Sequence, residues 1–180
     1  VHCNYKRNDD GTAYPIATEY DDTYQETGSV DVGAMQMSFW WNWDASNPEY
    51  DLVTISDTPN EKYKLKPWTE CKRADRTITP WCIGSAYVSG IASDGFLRSQ
   101  PGLKPERNQS HNNMITNYQK KGKGYLGAGS ERNTFQILFN IIKGATKNSQ
   151  SLFQGCTGYS FQYSASIESA DVHTYFPVTN

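Results

Sequence analysis

The sequence has no long apolar run and no strong excess of charge. Of its 180 residues, 37% are hydrophobic, and no stretch approaches the roughly 20 consecutive apolar residues that a transmembrane helix needs. The formal charge is −2, and basic residues cluster in short runs at 71–76 and 120–123. Because phosphate backbones are bound by broad basic surfaces, we expect neither nucleic-acid binding nor membrane insertion.

Motifs for metals, nucleotides and nucleophiles are also absent. The 3 histidines form no HxH or HExxH pattern, and the 4 cysteines form no CxxC pair. The glycines at 122–129 match no P-loop, and there is no GxSxG elbow. These absences argue against a metal, a cofactor and covalent catalysis, so we expect no enzyme. The paired carboxylates of a glycosidase leave no short signature, and a hydrolase stays open as an alternative.

The chain is long enough to bury the core of one domain. We expect residues 1–180 to form that single domain, with a β-rich part over 1–80 and a part with two helices over 81–180. The chain begins at Val1, and its last residues, "HTYFPVTN", still have the pattern of a strand. We therefore expect it to be a piece of a longer protein.

Alternating residues predict several strands. Residues 1–29 are rich in Asp, Thr and Tyr and predict loops with short edge strands. In the segment 34–43, "AMQMSFWWNW", an apolar residue returns at every second position, a period that predicts a half-buried strand. Further strands are predicted over 50–56 and 81–90.

Two segments have a helical period instead. The first predicts a helix over about 110–121, with Ser110 as its N-cap. The second, "SERNTFQILFNIIKGATK", has apolar residues at i, i+3, i+4 and i+7. Its expected core residues are Phe135, Leu138, Phe139 and Ile142. Alternation over 159–167 predicts a last strand, and the whole order predicts an α+β fold with a mostly antiparallel sheet.

The chain is rich in aromatic residues, with 5 Trp and 12 Tyr. Aromatic rings stack on sugar rings, and neighbouring amides can bind sugar hydroxyls. Phe39, Trp41 and Trp43 fall on one face of the predicted strand, and we expect them in the core. Trp40 and Asn42 fall on the opposite face and are the candidate ligand-binding residues.

Three segments, "LRSQPGLKP", "MITNYQKKGKGYLGAG" and "RNTFQILFNIIKGATKNSQSLFQGCTGY", resemble tail and tail-fibre-like proteins of bacteriophages and prophages, especially those of gut bacteria. The resemblance covers about residues 80–165 and rests on short motifs. One of them is a helix that closes on Asn-Ser-Gln followed by a glycine, here Asn148, Ser149, Gln150 and Gly155. Such proteins are similar to phage tropism determinants, which implies a C-type-lectin-like fold over 81–180.

The resemblance implies a non-enzymatic, tail-associated structural or receptor-binding domain. Its partners would be a glycan or protein receptor on a bacterial surface, together with further copies of the chain or other tail subunits. It would be made in the bacterial cytoplasm and act in the virion tail or outside the cell. The alternatives are a secreted or cell-surface carbohydrate-binding lectin and a glycan hydrolase.

The amide-rich turn after the second helix has a structural interpretation. The last four carbonyls of a helix have no partner within it. The side-chain amides of Asn148 and Gln150 can donate to such carbonyls, while Ser149 caps the next turn. We therefore expect these residues, with Gly155, to lock the helix end. Direct contact with a ligand is the alternative.

The spacing of the cysteines is compatible with paired cystines and with buried thiols. A tail protein folds in a reducing cytoplasm, so the resemblance implies buried thiols at Cys71, Cys82 and Cys156 and an exposed Cys3 near the terminus. A secreted lectin would instead favour a bond between Cys71 and Cys82.

Overall fold

The structure is a computed structural model that describes residues 1–73, 75–106, 108–146 and 148. These residues form antiparallel strand pairs and two α-helices, which confirms the predicted α+β class. The elements are β1 (His2–Arg7), β2 (Ala13–Thr18), β3 (Val32–Met37), β4 (Trp40–Asp44), β5 (Leu52–Ser56), β6 (Lys66–Pro67), β7 (Trp81–Ser85), β8 (Gly90–Ile91), β9 (Leu97–Arg98), α1 (His111–Gln119) and α2 (Ser130–Gly144). The predicted strand at 50–56 is confirmed as β5, and the one at 81–90 is confirmed in part as β7 and β8. In this described part of the chain, neither helix combines the length and apolarity needed to cross a membrane.

The first sheet has the strand order β2-β1-β3-β7, so the chain starts inside it. The prediction of loops and edge strands for residues 1–29 is therefore wrong for β1. Cys3, Asn4 and Tyr5 are buried in succession, and the polar Asn4 interrupts the apolar pattern. Its amide donates to the Gln25 carbonyl at 2.6 Å and its Oδ1 accepts from the Gln25 N–H at 2.9 Å, which satisfies the buried group.

Gly33 allows the central strands of this sheet to pack closely. A Cβ at this position would lie 2.5 Å from Cγ2 of Ile83 and 2.7 Å from Cδ1 of Tyr5. Tyr5 and Ile83 form one buried core with Cys3. Half-buried residues pack against this core: Ala13, Met35 and Trp81.

The segment 34–43 forms two strands rather than the predicted one. β3 ends at Met37 and pairs with β7, whereas β4 begins at Trp40 and pairs with β5 and β6 in a second sheet. Between them, the Ser38 N–H donates to the Pro80 carbonyl at 3.0 Å. The chain therefore leaves the first sheet after Met37 and enters the second at Trp40. The alternating pattern of the sequence runs through both strands and does not reveal this change of sheet.

A second core lies against β4. Trp68 is buried together with Cys71 and Cys82, and Phe39 and Trp41 pack against this group. The ring of Phe39 stacks on Trp68 with centroids 5.4 Å apart, and Trp41 meets Trp68 edge-on at 6.0 Å.

Trp43 extends beyond this second core. Its side chain is 46% exposed, so the prediction that Trp43 belongs to the core is wrong. The Trp68 group packs against Phe39 and Trp41, near the start of β4, and leaves the end of the strand in solvent. The predicted packing of Phe39 and Trp41 is confirmed, although both are half-buried.

The first helix follows its prediction. α1 begins after Ser110, whose hydroxyl accepts from the Asn113 N–H at 3.2 Å, as expected of an N-cap. The second helix, α2, ends at Gly144, and the next residue, Ala145, has a left-handed backbone with φ of 49°. The Ala145 N–H donates to the Ile142 carbonyl at 3.3 Å and satisfies one helix-end acceptor.

The predicted buried face of α2 is only partly found. Leu138 is half-buried, but Phe139 is 43% and Ile142 48% exposed, so the core prediction is wrong for these two residues. The side chain of Phe135 lies outside the described part of the structure. α2 is anchored at its first turn, where Arg132 forms an ion pair with Glu70.

The described cysteines, Cys3, Cys71 and Cys82, are buried free thiols. The prediction of an exposed Cys3 is wrong because this residue lies in the interior strand β1. Burial of Cys71 and Cys82 agrees with the prediction. Cys156 and the predicted strand at 159–167 lie outside the described residues.

Candidate functional site

The sheet of β4, β5 and β6 has two chemically different faces because side chains alternate along each strand. Trp40 is paired with Ser56, and Asn42 is paired with Thr54. Directly paired residues of antiparallel strands share a face, so these four residues lie together on the side opposite Trp41. We call this surface the Trp40 face and define it by Trp40, Asn42, Thr54 and Ser56.

The strand that carries Trp40 is held in place by contacts on the opposite face of the sheet. Trp41, the next residue, packs edge-on against the buried Trp68. The Trp68 N–H donates to the Phe39 carbonyl at 2.9 Å, on the other side of Trp40 in the chain. Trp40 is therefore flanked by two residues that are fixed in the second core.

Polar groups lie on the β5 side of the half-buried Trp40, and Pro67 of β6 is paired with it on the other side. The Ser56 hydroxyl accepts from the Thr58 N–H at 3.1 Å, which fixes its position. Asn42 and Thr54 are half-buried neighbours and add an amide and a second hydroxyl. This arrangement can offer one indole surface and several hydrogen-bonding groups to a ligand that lies flat against the sheet.

Asp44 ends the same strand and, by alternation, points to the same side as Asn42. Hydrogen bonds from the side chain and backbone of Ser46 hold the pKa of the Asp44 carboxyl below its usual range. The Ser46 N–H donates to Asp44 Oδ1 at 2.9 Å. An ionised acceptor therefore stands at the end of the Trp40 face.

The predicted amide lock is described only at its first residue. Asn148 is exposed, and its N–H donates to the Thr146 hydroxyl at 3.1 Å. Ser149, Gln150 and Gly155 lie outside the described residues, so their role stays a prediction.

A buried ion-pair network, which sequence reasoning missed, lies at the first sheet. The Asp31 carboxylate accepts from the Ser99 N–H at 2.9 Å, from Arg98 at 3.2 Å and from Lys121 at 2.8 Å. Burial lowers the pKa of the Lys121 ammonium, and the neighbouring Asp31 opposes this shift. The segment "KKGK" shows that Lys121 belongs to a basic run, but no local sequence pattern links Lys121 to Asp31.

A cavity of about 540 Å³ adjoins this network, with Asp31, Arg98 and Lys121 in its wall. Lys121 Nζ also lies 4.6 Å from the ring centroid of Tyr125. Because the buried charges bind one another, the network ties α1 and its following turn to the first sheet. Trp40 and Asn42 do not line this cavity, so the two candidate regions are separate.

Comparisons with known proteins give no relative from which a function could be carried over: no family model, no curated protein and no solved structure matches the chain. The function is therefore inferred from the Trp40 face and from the resemblance over residues 80–165.

Proposed function

We propose that this chain is a non-enzymatic receptor-binding domain that recognises a glycan on a bacterial surface through the Trp40 face. The observation that carries the proposal is a single tryptophan set among Asn42, Thr54 and Ser56 on one face of a sheet. Trp40 supplies the flat apolar surface for the C–H face of a sugar ring. The amide and hydroxyls around it supply partners for the sugar hydroxyls.

The other side of the sheet supports this assignment. Trp41 and Phe39 pack on Trp68 and hold β4 in place, so Trp40 does not depend on a mobile loop for its position. A fixed aromatic surface loses little conformational entropy when a ligand binds. Shallow, preorganised recognition of this kind suits a long surface polysaccharide better than a small, enclosed substrate.

We propose further that the domain belongs to a bacteriophage or prophage tail and has the C-type-lectin-like fold that the resemblance implies. The support is the resemblance over residues 80–165, together with the α+β class of the described residues and the two helices that follow Ser110. Further copies of the chain or other tail subunits are its expected partners. Light scattering that shows only monomers at high concentration would count against self-association.

The test is binding of the purified chain to an array of bacterial surface glycans. Trp40→Ala is expected to weaken binding by about fivefold, because a stacked aromatic contact contributes about 1 kcal/mol. Trp43→Ala is the matched control, since this residue is on the same strand, on the opposite face, and 46% exposed. It is expected to bind like the parent chain.

Three results would overturn the proposal: no glycan bound by the parent chain, equal losses in both variants, or full binding by Trp40→Ala. The bound glycan should also be recovered intact. Its cleavage by the parent chain would favour the alternative of a glycan hydrolase.

A further inference from the structure

Two cysteines from different elements meet in the second core. Cys71 ends a 3₁₀ turn, Thr69–Cys71, and Cys82 lies in β7. Both are buried, at 0% and 4% exposure, in the group that also contains Trp68. Within this group the two side chains are close enough to share a hydrogen bond.

The chain between the two cysteines is folded into a tight hairpin that holds them together. The Thr79 N–H and hydroxyl donate to the Cys71 carbonyl at 2.7 and 2.9 Å. The Arg73 N–H donates to the Thr77 carbonyl at 2.9 Å. The contact of the two thiols is thus built into the local fold.

The two thiols differ in how easily they ionise. A hydrogen bond from Cys82 to the Cys71 sulfur lowers the pKa of Cys71. The same hydrogen bond and burial raise the pKa of Cys82. Cys71 is therefore the better thiolate of the pair, although Cys82 is the better placed for access.

Access comes from a cavity of about 460 Å³ whose wall includes Cys82, Glu70 and Arg132. Cys82 lines this cavity and Cys71 does not, so a small molecule that enters it meets Cys82 first. Cys82 is therefore the residue that attacks the small molecule, and Cys71 is the residue that resolves the mixed disulfide.

We propose that Cys71 and Cys82 are a site of reversible oxidation, at which exchange with a low-molecular-weight disulfide forms an intramolecular disulfide. In the first step the Cys82 proton passes along the hydrogen bond to the ionised Cys71 sulfur, and the Cys82 thiolate so formed attacks the small disulfide. This gives a mixed disulfide on Cys82 and one small thiolate, which takes up a proton from solvent. In the second step the Cys71 thiolate attacks the Cys82 sulfur and releases the second thiolate, which takes up the Cys71 proton. Two thiols of the chain are oxidised, and one small disulfide is reduced to two thiols.

The bond would join β7 to the turn that carries Glu70, the residue that pairs with Arg132 of α2. A chain made in a reducing compartment would keep the thiols, and exposure to an oxidising medium would form the bond. This inference does not rest on the glycan-binding proposal, because neither cysteine belongs to the Trp40 face.

The test uses the folded, reduced chain, incubated with oxidised glutathione, alkylated and digested with trypsin. The expected product joins peptides 65–72 and 77–98, which contain Cys71 and Cys82, with a mass two hydrogen atoms below the sum of the two. Cys3→Ser should give the same product, whereas Cys71→Ser should leave glutathione on Cys82.

A matched measurement compares the melting temperatures of the oxidised and reduced chains. Closing this short loop is expected to raise the melting temperature by about 6–12 °C. The proposal is overturned if both peptides are recovered alkylated, if Cys82 of the parent chain stops at the glutathione adduct, or if the linked product forms only in urea. A linked product that melts no higher than the reduced chain would also overturn it, because the bond would then not fit the native core.

Discussion

Lys121 Nζ lies 2.8 Å from both carboxylate oxygens of Asp31, although 90 residues separate the two in the chain. Their side chains are 7% and 2% exposed, so this is a buried ion pair. Arg98 adds a second cation to the same carboxylate at 3.2 Å. The charge of Asp31 therefore holds two cations, the buried Lys121 ammonium and the half-buried Arg98 guanidinium.

We predict that Asp31→Asn lowers the free energy of unfolding by about 3–5 kcal/mol, because it leaves Lys121 and Arg98 without their shared anion. Urea denaturation measures the change. The matched control is Asp57→Asn, an exposed position whose substitution is expected to change stability by less than about 0.5 kcal/mol. Equal unfolding midpoints for the two variants would show that the network does not stabilise the fold.

Alkaline pH should destabilise the chain through Tyr5. Burial raises the pKa of the Tyr5 phenol from 10.0 to about 12. The folded state therefore holds this proton more tightly than the unfolded state, and the resulting stabilisation is complete below pH 10 and lost as the pH rises towards 12. For this group the loss is about 2–3 kcal/mol.

Tyr5→Phe isolates this effect from other groups. Burial also raises the pKa of Cys3, to about 11, and of Tyr24, to about 12, and these groups act in the same direction. Urea unfolding at several pH values should show a weaker decline in Tyr5→Phe than in the parent chain. Tyr20→Phe is the control, since Tyr20 is 80% exposed, and it should follow the parent. If both variants declined equally, the buried phenol would not be responsible.

Gly33 is predicted to accept no larger residue. Gly33→Ala would press a methyl group against Ile83 and Tyr5 and is expected to reduce stability by about 1–3 kcal/mol. Gly127→Ala is the control because a Cβ there meets nothing within 4 Å, and its effect should be less than about 0.5 kcal/mol. A thermal melt of each variant decides the point, and a Gly33→Ala chain as stable as the control would mean that the strands are not packed this closely.

Local signals in the sequence predicted local structure well. The Ser110 cap and the strand β5 depend on neighbouring residues, so both could be predicted from the sequence. The strand β1 was hidden because buried Asn4 is polar and is satisfied by Gln25, which is 21 residues away. The approach of Asp31 to Lys121 was hidden for the same reason, since no periodicity links residues so distant in the chain.

The candidate site, too, could be predicted only in part from the sequence. Alternation alone placed Trp40 and Asn42 on one side of a strand, opposite Trp41. Their neighbours Thr54 and Ser56 depend on the register between β4 and β5, which only the structure gives. Exposure of Trp43 depends on how far the Trp68 group reaches along β4, which is also a tertiary property.

The most direct test of the proposed glycan-binding face is a titration followed through the indole N–H signals of the 5 tryptophans by NMR. The signals are assigned with single substitutions, and a glycan bound by the parent chain on the array is added stepwise. We predict that the Trp40 signal shifts progressively, while the signals of the core residues Trp41 and Trp68 stay in place. Saturable shifts confined to other tryptophans, with the Trp40 signal unchanged, would contradict the account.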